Sequence, residues 1–249
     1  MSDLLTFALN AAEEAGKITL KYFRQELSID LKSDDSPVTI ADREAERYLR
    51  EAISAKFPGH GFLGEEEGTT GDQSERWVID PIDGTKSFIC GVPLYGVLLS
   101  YERDGVPVVG ISHFPALGET VWATKGGGAF LNGKPIQVSP VGELSHATLC
   151  SGSPTSMEDA GRMEGFMKLA RQARGARTWG DAYGHCLVAT GRTEAMIDPK
   201  VAYHDLSSVS LIVTEAGGRF TNFKGEEGIF HEAISCNTAL FDQVVGAFA

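Results

Sequence analysis

Trp77-Val78-Ile79-Asp80-Pro81-Ile82-Asp83-Gly84-Thr85-Lys86-Ser87-Phe88 is the stretch from which the rest of the chain is read. Trp77 to Ile79 is an apolar run that reads as a short buried strand. Pro81 has no N–H to give a ladder, so this reading ends the strand at Asp80 and Pro81. Asp80 and Asp83 then lie three residues apart, and Gly84-Thr85 can open a helix or a turn. Backbone N–H groups at such a start suit a phosphate oxygen. Two carboxylates held this close repel each other. A divalent cation bridging them removes the repulsion, and hard cations take oxygen ligands. Alone, Asp-Pro-x-Asp is ordinary turn chemistry.

Bulk properties narrow the field. The 249 residues are enough for a large core, as one domain or as two sub-domains sharing an interface. An apolar fraction of 42% and a charged fraction of 22% are those of a globular protein. A formal charge of -12 argues against nucleic acid or an anionic membrane as partner. A phosphate ester is also an anion, and carboxylates that collect cations reverse the local sign. Cys90, Cys150, Cys186 and Cys236 are scattered, with no Cys-x-x-Cys, which reads as reduced thiols in a cytoplasmic protein without a zinc site. The start, Met-Ser-Asp-Leu-Leu, has neither the basic region nor the apolar core of a signal peptide. No apolar run reaches membrane-spanning length.

Along the chain, residues 3–23 read as an amphipathic helix with Leu5, Ala8, Ala12, Ala15, Ile18 and Tyr22 on one stripe. Residues 28–38 read as a polar, mobile loop. Thr39 is placed to cap a second helix running to about Lys56, which Pro58-Gly59 ends. Phe62-Leu63 is a short strand leading to Gly64-Glu65-Glu66-Glu67, and residues 68–76 a loop. Gly96 to Tyr101, Val106 to Ser112 and Thr120 to Thr124 read as strands of an antiparallel meander, with Asp104-Gly105 a hairpin turn. A seam lies near Pro140 to Leu144. Beyond it strand and helix alternate: strand 146–150, helix 156–174 with Met163, Phe166, Met167 and Ala170 inward, helix 181–190, strand 194–197, helix 205–216 and helix 238–247. The six histidines show no metal-binding spacing, and no nucleophile motif points to covalent catalysis.

Asp-Pro-Ile-Asp-Gly-Thr at 80–85 resembles the signature of the inositol monophosphatase superfamily of magnesium-dependent phosphatases. Gly64-Glu65-Glu66 is similar to its second acidic motif. Asp205, followed by Ala216-Gly217-Gly218, is similar to its third. The resemblance implies a layered αβαβα sandwich (α+β / α/β) of the inositol monophosphatase/fructose-1,6-bisphosphatase type. It implies one domain, with sub-domains of about 1–140 and 141–249, the second carrying Asp205. It implies two or three Mg2+ ions. Glu65, Asp80 and the Ile82 carbonyl would hold one, and Asp80, Asp83 and Asp205 a second, with a weaker third sharing Glu65. Thr85 would orient the attacking water together with Asp42, and the N–H groups of Gly84 and Thr85 would cradle phosphate. Lys32 resembles a position that reaches the site on closure. A small phosphorylated metabolite as substrate and a homodimer as assembly are also implied.

For the substrate, Thr85-Lys86-Ser87-Phe88-Ile89-Cys90-Gly91 is closer to the histidinol-phosphate phosphatase branch than to inositol-type members. Trp179-Gly180-Asp181-Ala182-Tyr183-Gly184 resembles the same branch. Histidinol phosphate carries a cationic amine, and Asp181 is placed to pair with it. Capping of helix 181–190 is the competing role for Asp181. Asp198 matches a position that contacts the alcohol part of the substrate. His204 departs from the pattern, which has Trp or Tyr before the metal Asp. Inositol-1-monophosphatase, 3′-phosphoadenosine-phosphate phosphatase and a non-catalytic metal-binding module are the alternatives.

Overall fold

The computed structural model describes residues 3–26, 30–31 and 37–249, without the side chains of 31 and 37. In chain order the first half carries α1 (Asp3–Tyr22), β1 (Asp30–Leu31), β2 (Pro37–Val38), α2 (Ile40–Lys56), β3 (His60–Gly64), β4 (Gly68–Thr70), β5 (Asp72–Asp83), α3 (Thr85–Ile89), β6 (Gly96–Arg103), β7 (Val106–Phe114), β8 (Glu119–Thr124), β9 (Gly128–Leu131) and β10 (Lys134–Ile136). The second half carries β11 (Thr148–Ser151), α4 (Pro154–Asp159), α5 (Met163–Ala170), β12 (Gly175–Arg177), α6 (Asp181–Ala189), β13 (Ala195–Asp198), α7 (Tyr203–Glu215), β14 (Arg219–Thr221), β15 (Ala233–Cys236) and α8 (Phe241–Val245).

Two sheets form the frame. Eight strands run in the order β10-β9-β8-β7-β6-β5-β3-β4, and five in the order β12-β11-β13-β15-β14. The first is antiparallel throughout except where β3 lies parallel to β5. Side-chain alternation along β6 shows how its faces are used. Val97, Leu99 and Tyr101 pack with Ala8, Ala12 and Leu49 of α1 and α2. Leu98, on the opposite face, packs with Leu206, Val209 and Ile212 of α7 and with Ala182 and Cys186 of α6. The α6–α7 layer is shared, because Leu187 and Val188 of α6 meet Cys150 and Met196 of the second sheet. That sheet's far side packs Leu149, Ile197 and Ile234 against Phe166, Leu169, Phe241 and Val244 of α5 and α8. The layers are therefore helix, sheet, helix, sheet, helix.

Several local expectations need correction. The strand expected to stop at Asp80 continues to Asp83. Its ladder with β6 shifts register between Asp80 and Asp83, so Pro81 lies in the irregular part, where no ladder bond is asked of it. The loop expected at 68–76 is instead β4 and the start of β5. The helix expected over 156–174 is two short helices, α4 and α5. Gly161 separates them at a positive φ of 67°, and Phe166 and Leu169 face inward while Met167 is exposed. The strands β12, β14 and β15 were not anticipated. Thr39 is the N-cap of α2 as expected, its hydroxyl accepting from the Ala41 N–H at 3.1 Å. All four cysteines are free. Among the described residues no helix is long and apolar enough to cross a membrane.

Candidate active site

The end of β5 delivers the first carboxylates. Asp80 and Asp83 are 2% and 5% exposed, and the Ile82 N–H donates to Asp80 Oδ1 at 3.0 Å. Gly84 then turns the chain at φ 77°, a conformation favouring glycine, and a Cβ there would come within 3.0 Å of the Leu94 carbonyl. Glu65 follows β3, and its N–H donates to the Ile79 carbonyl at 3.1 Å, beside Asp80. The turn carrying Glu65 is held from below. Glu46, fully buried on α2, accepts from the N–H groups of Glu66 at 2.8 Å and Glu67 at 3.1 Å, and from Arg50 Nε at 2.8 Å. Asp205 comes from the first turn of α7, where its Oδ2 accepts from the Ala202 N–H at 2.9 Å.

These elements bring together what lies far apart in the chain. Asp80, Asp83 and Asp205 each present an oxygen within 4.8 Å of the others. Glu65, Asp80 and a ring nitrogen of His204 form a second such group. Asp80 belongs to both. Burial holds the Asp80 carboxyl well above the usual carboxylate range, and Glu65, Asp83 and Asp205 push it the same way. Burial also raises Asp83, helped by Asp181 and Asp205. Asp205 is raised by burial, against the opposing influence of His204 and the Ala202 N–H. Crowded carboxylates that resist ionisation are the donor set a hard divalent cation fits.

Thr85 opens α3 and donates its hydroxyl to the Ile82 carbonyl at 3.0 Å. Asp42 is fully buried. Its Oδ2 accepts from the N–H and hydroxyl of Thr39 at 2.8 and 2.7 Å, while Oδ1 is buried without a partner. Burial raises Asp42, and Glu65 lies close enough to add to this. No hydrogen bond joins Asp42 to Thr85, so the structure makes Asp42 a helix cap with one oxygen to spare. Lys32 lies outside the described residues.

Glu65, Asp80, Asp83, Thr85 and Asp205 line a cleft of about 530 Å³ together with Lys86, Asp181 and Lys200. A narrower cavity of about 200 Å³ continues from it, lined by Asp83, Asp181, His185, Asp198 and Lys200 among others. Asp181 is the first residue of α6, after the N-cap Gly180. Asp83 serves that helix start, its Oδ2 accepting from the Ala182 N–H at 2.9 Å. Asp181 stands at a positive φ of 57°, and protein crowding raises its carboxyl, followed by Asp205, while Lys86 lowers it. Asp198 is 6% exposed and raised well above the ordinary range by burial, then by Asp181 and Asp205. Sequence reasoning missed Glu46 and the approach of His204 to Glu65. Neither follows from spacing along the chain.

The chain matches the family model described as inositol monophosphatase family over residues 1–244. It is 44% identical to a histidinol-phosphatase of Chlorobaculum parvum, covering 99% of this chain and 97% of that protein. It is 38% identical to a histidinol-phosphatase of Mycobacterium tuberculosis, covering 98% and 96%. An inositol-1-monophosphatase of Rhizobium meliloti is 34% identical over 90% and 87%. Among solved structures, an IMPase of Thermotoga maritima superposes with a TM-score of 0.92 at 30% identity, over 99% of this chain and 97% of that one. The extragenic suppressor protein SuhB of Bartonella henselae does so with a TM-score of 0.94 at 29% identity, over 99% and 98%. With the fold, the acidic cluster and the full-length likeness in agreement, this chain belongs to the inositol monophosphatase family.

Proposed function

We propose that the protein hydrolyses L-histidinol phosphate to L-histidinol and phosphate with Mg2+ as cofactor. The observation that carries the substrate is Asp181. It lies in the cleft, and the Ala182 N–H at the start of α6 donates to Asp83. A cationic amine entering a cleft with no anionic partner would lose its hydration uncompensated, and Asp181 supplies the partner. The likeness to the two histidinol-phosphatases supports the same reading.

Asp80, Asp83 and Asp205 would hold one magnesium ion, and Glu65, Asp80 and the Ile82 carbonyl another, with a third sharing Glu65. Bound there, magnesium would offset the charge of the phosphate oxygens and lower the pKa of a water. Thr85 would orient the attacking water, with the spare oxygen of Asp42 behind it. The N–H groups of Gly84 and Thr85 would hold a phosphate oxygen. Asp198, a buried acid beside Asp181 and Lys200 in the narrower cavity, would contact the alcohol part of the substrate. The likeness to an inositol-1-monophosphatase supports a second reading, a neutral polyol ester such as inositol 1-phosphate. We further propose a cytoplasmic homodimer acting as a single phosphatase domain. Two halves, about 1–140 and 141–249, would meet at the cleft.

The test is a panel of phosphate esters assayed with Mg2+ and with chelator. Turnover is expected with histidinol phosphate, lost on chelation and restored by Mg2+. Calcium should bind but support little turnover, because its looser coordination places the water poorly. Full activity after exhaustive chelation would overturn the proposal.

A further inference from the structure

The two donor groups of the cluster differ in chemistry. Asp80, Asp83 and Asp205 offer oxygen only, whereas Glu65, Asp80 and His204 offer two carboxylates and an imidazole nitrogen. His204 is the second residue of α7, and its neighbours on both sides are tied down. Tyr203 donates its hydroxyl to the buried Glu102 at 2.9 Å, and Asp205 accepts from the Ala202 N–H at 2.9 Å. The ring is therefore delivered to the cluster by a fixed helix start. Its Nε2 lies 3.2 Å from Asp205 Oδ1, which sets the imidazole beside both donor groups. The side chain is 20% exposed, so it is not sealed in the core. Donors bound to one small cation lie about 3–4.5 Å apart when each bond is near 2.1 Å, and Glu65, Asp80 and His204 each present a donor atom no more than 4.8 Å from the other two.

Nitrogen changes which cation such a position prefers. Oxygen-only sets suit magnesium, whereas imidazole suits zinc and its transition-metal neighbours, and affinity rises from Mn2+ toward Zn2+ for mixed sets. We propose that His204 supplies a nitrogen ligand to the cation held by Glu65 and Asp80, so that this position binds Mn2+ and Zn2+ more tightly than carboxylates alone would, while Mg2+ gains little. The proposal rests on reading the cluster as a metal centre.

The test uses the full chain stripped with chelator and loaded with Mn2+ alone. Pulsed electron paramagnetic resonance is expected to show nitrogen coupled to the bound manganese. The coupling should disappear in His204→Phe, where Mn2+ stays bound through the carboxylates. Calorimetry should show Mn2+ and Zn2+ affinity falling at least ~10-fold in that variant while Mg2+ affinity moves less than ~3-fold. The wild-type spectrum needs no variant to fold, so absence of nitrogen coupling with Mn2+ bound overturns the proposal while the metal centre stands. A loss of Mn2+ and Mg2+ affinity by the same factor overturns it too. No Mn2+ binding to the wild-type chain would overturn both the proposal and the metal-centre reading.

Discussion

Asp80 and Asp181 are the residues on which single substitutions say most. Asp80 belongs to both donor groups, so Asp80→Asn weakens both at once. Loss of at least ~10²-fold in kcat is expected, as when a metal-held nucleophile is lost. The fold should respond in the other direction. The Asp80 carboxyl is raised in the folded state, so its repulsion grows as pH rises above the ordinary carboxylate range. In chelator, Asp80→Asn should melt higher than the wild type, by more at pH 8 than at pH 5; a variant melting lower at both would remove the repulsion argument. Asp181→Ala separates a charge partner from a structural residue. KM for histidinol phosphate should rise at least ~10-fold, the value of one charge-assisted hydrogen bond, with hydrolysis of inositol 1-phosphate little changed. Equal loss on both esters would take away the main support for the histidinol reading.

At the scale of elements, two buried acids aim the site. Glu46 on α2 ties the turn after β3. Glu102 on β6 receives Arg76 at 2.7 Å, Tyr203 at 2.9 Å and Ser207 at 2.6 Å, which seats the start of α7 on the first sheet. The helix can lie that close because Gly110 has no Cβ to meet the Ser208 carbonyl. Glu46→Ala takes the acceptor from the N–H groups of Glu66 and Glu67 and the buried charge partner from Arg50, which keeps its bonds to Gly68 and Thr70. Unfolding in urea should show a loss of about 3–5 kcal/mol, the usual cost of breaking a buried pair, together with weaker cation binding. Stability unchanged within ~0.5 kcal/mol would mean that water replaces the carboxylate. These acids also mark where sequence reading ran out. The stripe of α1, the Thr39 cap and the meander from Gly96 to Thr124 were legible because period and turn chemistry are local. So was the acidic cluster at Glu65, Asp80, Asp83 and Asp205, because its motifs carry a resemblance. Glu46 looks like any solvated helix acid until the turn it binds is folded beneath it. Strands of three or four residues such as β12, β14 and β15 are too short to show a period. The run from 156 to 174 has helical spacing, and only the left-handed Gly161 divides it.

The whole molecule is five layers, and its middle layer carries a titratable group that the catalytic proposal does not use. His185 of α6 is 1% exposed, with Nδ1 2.6 Å from Ser235 Oγ on β15. Burial pushes its pKa down to about 3. The unfolded chain takes a proton at this residue below about pH 6.5, whereas the folded one stays neutral until near 3, so stability falls across that interval. Urea titrations at pH 7, 6 and 5 should show the wild type losing up to ~1.4 kcal/mol per pH unit more than His185→Gln. Parallel lines for the two proteins would show that the folded state admits the proton. The division of the acidic cluster between the sheets has a consequence for biosynthesis. Glu65, Asp80 and Asp83 leave the ribosome well before Asp205. Asp205 follows only after most of the remaining chain has been made. A nascent chain therefore carries an incomplete, self-repelling trio of acids for about half of its synthesis, and full cation loading becomes a mark of a finished polypeptide.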